Sequence, residues 1–181
     1  MPATVKRCVI AALLMGSSGV AQASTQGTMG ASSQGSVTIN ASVPPRVRIS
    51  NLTDIDLTGS DPSVDAVNAQ NVCVWSNTAT RGYRLTATGS GAGSAFTLAS
   101  GALPVVPYSV EWASTSGQTS GSALATTIAL TGLTSSATNA NCAPGPADTA
   151  SLIVRIGAPD LQAMTASTNY SGTLTLLVAP E

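Results

Sequence analysis

The sequence has 181 residues, seven Lys and Arg against eight Asp and Glu, no histidine, 8% charged residues and 3% aromatics. Without histidine, Ser-His-Asp and Cys-His nucleophilic sites are excluded, and the commonest general base and metal ligand at neutral pH is missing. A chain this sparsely charged, with no cluster of cations, lacks the electrostatic footprint that nucleic acid or an anionic membrane surface requires.

Residues 1–23 read as a secretory signal peptide. Lys6 and Arg7 precede an uncharged apolar run that ends in Ala21-Gln22-Ala23, which places cleavage before Ser24. The run is shorter than the roughly 20 residues of a membrane span, and no later run approaches that length, so the exported chain is not expected to be integral to a membrane. Arg7 stands directly before Cys8, which argues against lipid attachment at that thiol.

Cleavage leaves five arginines, no lysine and eight acids, a net charge of −3, and two cysteines, Cys73 and Cys142. In an oxidising compartment a pair with no leftover thiol most simply forms a disulfide. Closing that loop would stabilise the fold by about 4 kcal/mol in the chain-entropy model. So little charge is unusual on a free monomer and suits a surface that neighbours cover.

In chain order, residues 24–35 are Ser, Thr, Gly, Gln, Ala and one Met, a flexible linker composition. A strand is expected over 36–43, with Val37, Ile39, Ala41 and Val43 on one face. Pro44-Pro45 cannot continue a central strand and separates this segment from the rest. The domain reading is therefore a signal peptide (1–23), a flexible leader with its strand (24–43) and a β-domain (44–181).

Further strands are expected over 46–50, 71–75, 82–88, 95–99, 105–113, 126–130, 151–156 and 170–178, each bounded by turn residues such as Gly89-Ser90-Gly91. Residues 139–147, which carry Cys142, read as a loop. Short alternating strands with regular turn punctuation indicate an all-β, antiparallel sandwich. The leader strand is either an edge strand of its own sheet or a strand given to another subunit, where main-chain hydrogen bonds supply affinity and alternate side chains fill pockets.

Candidate chemistry is thin, and no catalytic residue, metal site or cofactor is expected. Asp54, Asp56, Asp61 and Asp65 crowd one stretch, but their spacing does not match a calcium loop and reads as solvated acids and Asx turns around Pro62. Glu111 sits on a predicted strand beside Trp112, so a carboxylate-pair hydrolase is a weak alternative. Gly89-Ser90-Gly91-Ala92-Gly93 is followed by no lysine and opens no helix, unlike a phosphate loop. Trp75, Tyr83, Tyr108, Trp112 and Tyr170 read mostly as core, and Arg81 and Arg84 as a solvated edge.

Four segments carry a family resemblance: Gly35-Ser36-Val37-Thr38-Ile39-Asn40-Ala41, Val72-Cys73-Val74 leading to Tyr83-Arg84-Leu85-Thr86-Ala87, Val106-Pro107-Tyr108-Ser109-Val110, and Tyr170-Ser171-Gly172-Thr173-Leu174-Thr175-Leu176-Leu177-Val178. In order and spacing the chain resembles the single-domain pilins of archaic chaperone-usher pili and the related spore coat protein U domain. The resemblance implies an immunoglobulin-like sandwich lacking its final strand. Its open groove would be filled first by a periplasmic chaperone and then, at the outer-membrane usher, by the leader strand of a neighbouring pilin subunit.

Val37, Ile39, Ala41 and Val43 would be the groove-filling side chains, and the product a cell-surface fimbria for adhesion and biofilm. A departure is that the relatives carry a cysteine near the position of Arg46-Val47-Arg48, which leaves Cys73 to pair with Cys142. The main alternative is a self-contained secreted coat or adhesion domain.

Overall fold

Alternating apolar and polar residues give each strand one face to bury, and the fold follows from how those faces meet. The computed structural model describes residues 24–143 and 145–181; the signal-peptide reading falls outside these residues. The described chain is all-β apart from one short α-helix and a single 3-10 turn at Ala92–Ser94. Its elements are β1 (Val47–Ser50), β2 (Ala66–Ser76), β3 (Gly82–Gly89), β4 (Thr97–Leu98), β5 (Val106–Pro107), β6 (Ser109–Ala113), β7 (Ser122–Ala123), β8 (Ala129–Thr134), β9 (Ala150–Ile156), α1 (Ala158–Gln162) and β10 (Leu174–Pro180).

Every ladder is antiparallel. One sheet has the order β1-β2-β9-β6-β7, a second β10-β3-β8, and β4 and β5 form a two-stranded ribbon. The two larger sheets share a core. β2 and β9 contribute Val72, Val74, Leu152, Val154 and Ile156, β6 contributes Val110 and Trp112, and β3 faces them with Tyr83, Leu85 and Ala87. Val72, Cys73 and Val74 are buried in succession because the face opposite the core is covered as well, by Cys142 and Ala137.

Several boundaries differ from those expected. The strand expected over 105–113 is broken at Tyr108, where the chain passes from a ladder with β4 to a ladder with β9; Pro107, which has no N–H, sits at the change. The strand expected over 126–130 begins only at Ala129, since Thr127 adopts φ +63° in a turn closed by Ile128 N–H to Ala125 C=O (3.2 Å). The strand expected from Tyr170 begins at Leu174, because Ser171 exchanges both main-chain hydrogen bonds with Ala99 (2.9 Å each).

The chain divides into two units, Met1–Val43 and Pro44–Glu181. In the first, Thr25 and Ser36 exchange two main-chain hydrogen bonds of 3.0 Å and close a loop. No strand is formed over residues 37–46, so the strand expected over 36–43 is absent as such from the isolated chain. A strand is defined by its ladder, and alternation in sequence does not provide the neighbour.

Candidate functional site

An open apolar groove of the second unit lies along β10. Glu181 N–H donates to Gly82 C=O (3.1 Å), its register partner beyond Pro180↔Tyr83. In an antiparallel ladder alternate residues point their main-chain groups at the partner strand. Thr175, Leu177 and Ala179 therefore face β3, while Leu174, Leu176 and Val178 turn N–H and C=O away from it. β10 is an edge strand of its sheet, and these groups lie on its edge side. The side chains of the same three residues pack on the core, whereas Leu177 is 65% exposed.

β1 presents a matching edge. Asn77 N–H donates to Arg46 C=O (3.1 Å), and Val47 pairs with Ser76, so by the same alternation Val47 and Ile49 point main-chain groups away from β2. Beyond β1 the chain continues beside β2 as a strap, tied at its start by Asn51 Nδ2, which donates to Ala147 C=O (3.2 Å) and Asp148 Oδ1 (3.1 Å), and further on by Gln70. Gln70 Oε1 accepts from the Thr53 N–H (2.9 Å) and hydroxyl (3.1 Å), and Gln70 Nε2 donates to Thr53 C=O (3.1 Å).

Between strap and β10 runs a groove of about 1250 Å³. Leu52, Ile55 and Leu57 form one wall and Leu174 and Leu176 the other. Tyr108, Leu152, Val154 and Ile156 make the floor, and Leu161 and Met164 close the end by the helix. Cα atoms of β1 come within 8 Å of Cα atoms of β10, so the groove narrows toward that end. The volume exceeds the few hundred to roughly 1,000 Å³ of ordinary small-molecule pockets, and an elongated apolar trench with main-chain edges suits an extended peptide.

Two of the acids, Asp56 and Asp61, are engaged in local turns. Asp56 Oδ1 accepts from the Thr58 hydroxyl (2.7 Å) and N–H (2.9 Å), and the hydroxyl contact, followed by the N–H, holds its carboxyl below the ordinary range. Asp61 is lowered in the same way, mainly by the N–H of Ser63 at 2.8 Å. Asp65 pairs with Arg155 (3.4 Å) and accepts from Ala158 N–H (3.0 Å). Glu111 Oε2 accepts from Gly121 N–H (2.8 Å). Among the described residues no group of three or more His, Cys, Asp or Glu is placed to hold a metal ion.

Cys73 and Cys142 form a disulfide across 69 residues of sequence, with both residues buried and neither lining the groove. Val37, Ile39 and Val43 are 74%, 86% and 81% exposed, and Ala41 is exposed too. No helix among the described residues is long and apolar enough to cross a membrane. Trp112 and Tyr83 are core, as are Tyr108 and Tyr170 to a lesser degree, and Trp75 is half-buried over the disulfide.

Sequence reasoning missed the strap and the edge character of β10. Gln70 was the available signal: it lies on the inward face of β2 in step with Val72, where an unpartnered polar side chain would be costly, so it must bind something. No protein-family model matches the chain, and no curated protein matches it either.

Proposed function

We propose that this chain is a structural subunit of a surface fibre, assembled by strand donation between copies. Residues 37–43 of one copy would lie in the groove of the next, with Val37, Ile39, Ala41 and Val43 against the floor. The observation that carries this reading is the apolar groove bordered by the outward main-chain edge of β10 at Leu174 and Leu176, with the outward edge of β1 at Val47 and Ile49 beyond its narrow end. An immunoglobulin-like fold short of one strand is the fold-level form of the same proposal.

Lengths agree. β10 has seven residues, and so does the leader between Ser36 and Pro44, each spanning about 20 Å at 3.3 Å per residue. A strand seated between two neighbours holds them about 9.5 Å apart, so full insertion parts β1 from β10 at the narrow end. A leader strand that must leave its own body behind fits the Pro44-Pro45 junction. A periplasmic chaperone that fills the groove before assembly, and an outer-membrane usher that catalyses the exchange, complete the proposal.

The test is capture of a synthetic peptide of residues 35–43 by the full chain carrying Ile39→Asp, whose own leader is thereby disabled. Amide exchange should slow at Leu174, Leu176 and Val178 and remain unchanged at Leu177, whose N–H already faces β3. A chain that stays monomeric with its native leader and captures no peptide is instead a self-contained secreted domain.

A further inference from the structure

Arg46 and Arg48 on one side and Asp54, Asp56 and Asp61 on the other lie at two opposite ends of the body. β1 starts beside Ser76, and β10 finishes beside Tyr83; this end bears Arg46 and Arg48, directly after the leader junction. The other end, where β2 starts beside Ile156, carries the loop with Asp54, Asp56 and Asp61, of which Asp54 and Asp56 line the wide end of the groove. The described residues contain one ion pair, Arg155 to Asp65. Neither Arg46 nor Arg48 has a carboxylate within 4 Å, and Asp54, Asp56 and Asp61 have no cation there.

Resting on the strand-donation reading, we propose that these ends mate: Arg46 and Arg48 of one copy dock on the acidic groove mouth of the next. The partner is a second copy of this chain. Arg46 lies three residues beyond Val43, about 10 Å of extended chain, so it follows the inserted strand by a short reach. The contact requires the donated strand to run antiparallel to β10, which brings its Pro44 end out at Leu174 beside Asp54 and Asp56. The parallel orientation would carry the same arginines to the acceptor's Arg46 end and meet like charge.

Two further acids lie away from the acidic loop, Asp148, which accepts from Asn51 Nδ2 (3.1 Å), and Glu111, which accepts from Gly121 N–H (2.8 Å). Arg81 and Arg84 lie at the arginine end, and Glu181, also there, has its side chain engaged by the Gly132 N–H (2.8 Å). Turn hydrogen bonds from Thr58 and Ser63 favour the ionised carboxylates of Asp56 and Asp61. Because donor and acceptor surfaces differ, the interface is heterologous and propagates head to tail without closing. Complementary rim charge sets orientation and speeds encounter more than it adds affinity.

The experiment uses the full chain with Ile39→Asp as acceptor and three labelled peptides: residues 35–43, residues 35–49, and residues 35–49 with Arg46→Gln and Arg48→Gln. At low ionic strength the native long peptide should bind about fivefold tighter than its Gln version, and the difference should vanish near ~1 M salt, where screening acts within about 3 Å. Asp54→Asn with Asp56→Asn in the acceptor should abolish the difference and leave the short peptide unaffected. If the short peptide is captured but the two long peptides bind alike at low salt, charge docking is wrong and strand donation stands. If no peptide is captured, strand donation fails and takes this proposal with it.

Discussion

Trp112 donates its indole N–H to the Tyr83 hydroxyl across 3.0 Å, with both side chains fully buried and the rings edge to face at 81°. One strand from each large sheet supplies a partner, so this contact ties the two sheets through the middle of the core. Tyr83→Phe keeps the packing but strands a buried N–H. The expected loss is about 1–3 kcal/mol, read from the urea midpoint with an unchanged slope.

The same burial sets an alkaline limit. Desolvation pushes the Tyr83 phenol from 10.0 to about 12, against the smaller opposing effect of the Trp112 N–H. The folded chain thus holds the proton more tightly than the unfolded chain. This contribution to stability is complete below pH 10, declines as pH rises from 10 to about 12, and is lost above that. Denaturation followed across this window should show the decline, and Tyr83→Phe should flatten it; an equal decline in the variant would assign the effect to other groups.

Joining Cys73 to Cys142 closes a 69-residue loop. Replacing both cysteines by alanine should lower stability by about 4 kcal/mol, less whatever structure the open unfolded chain retains. Since both residues are buried, a mild reductant should leave the native disulfide intact and cleave it only once the chain is unfolded. Thiol titration at graded urea concentrations checks both statements.

Asn68 presents a buried Oδ1 that has no hydrogen-bond partner, two residues from Gln70 on the same face of β2 and across from Val154. A buried acceptor left unpaired costs free energy, and β-branched side chains suit a half-buried strand. Asn68→Val should therefore raise stability by about 1 kcal/mol. A fall in melting temperature would show that the amide has a partner in solution.

Sequence alone revealed the inward faces well. Tyr83, Leu85 and Ala87, and likewise Val110 and Trp112, alternate with polar neighbours, and all are buried. The strap over 51–60 was not legible because the contacts that fix it reach distant residues, Asn51 to Ala147 and Asp148 and Thr53 to Gln70. Nor could the start of β8 be read, since a threonine in the left-handed region carries no sequence mark. The leader shows the complementary case: the alternation of Val37, Ile39, Ala41 and Val43 is plain, yet periodicity does not name the neighbour that would turn the segment into a strand.

Asn77 gives the body a mechanical property. Its Oδ1 accepts from Arg46 N–H (2.6 Å), its Nδ2 donates to Pro44 C=O (3.0 Å), and its own N–H donates to Arg46 C=O (3.1 Å). A tensile load arriving through the leader enters the body at this clamp, ahead of the four-residue β1. The hydrogen bonds beyond it run perpendicular to an antiparallel strand, so a pull along β1 loads them together in shear. Asn77 is thus the mooring that shares the first increment of force with the sheet, and at the far end of the same ladder Ser50 pairs with Cys73 of β2, which the disulfide anchors to the loop at Cys142.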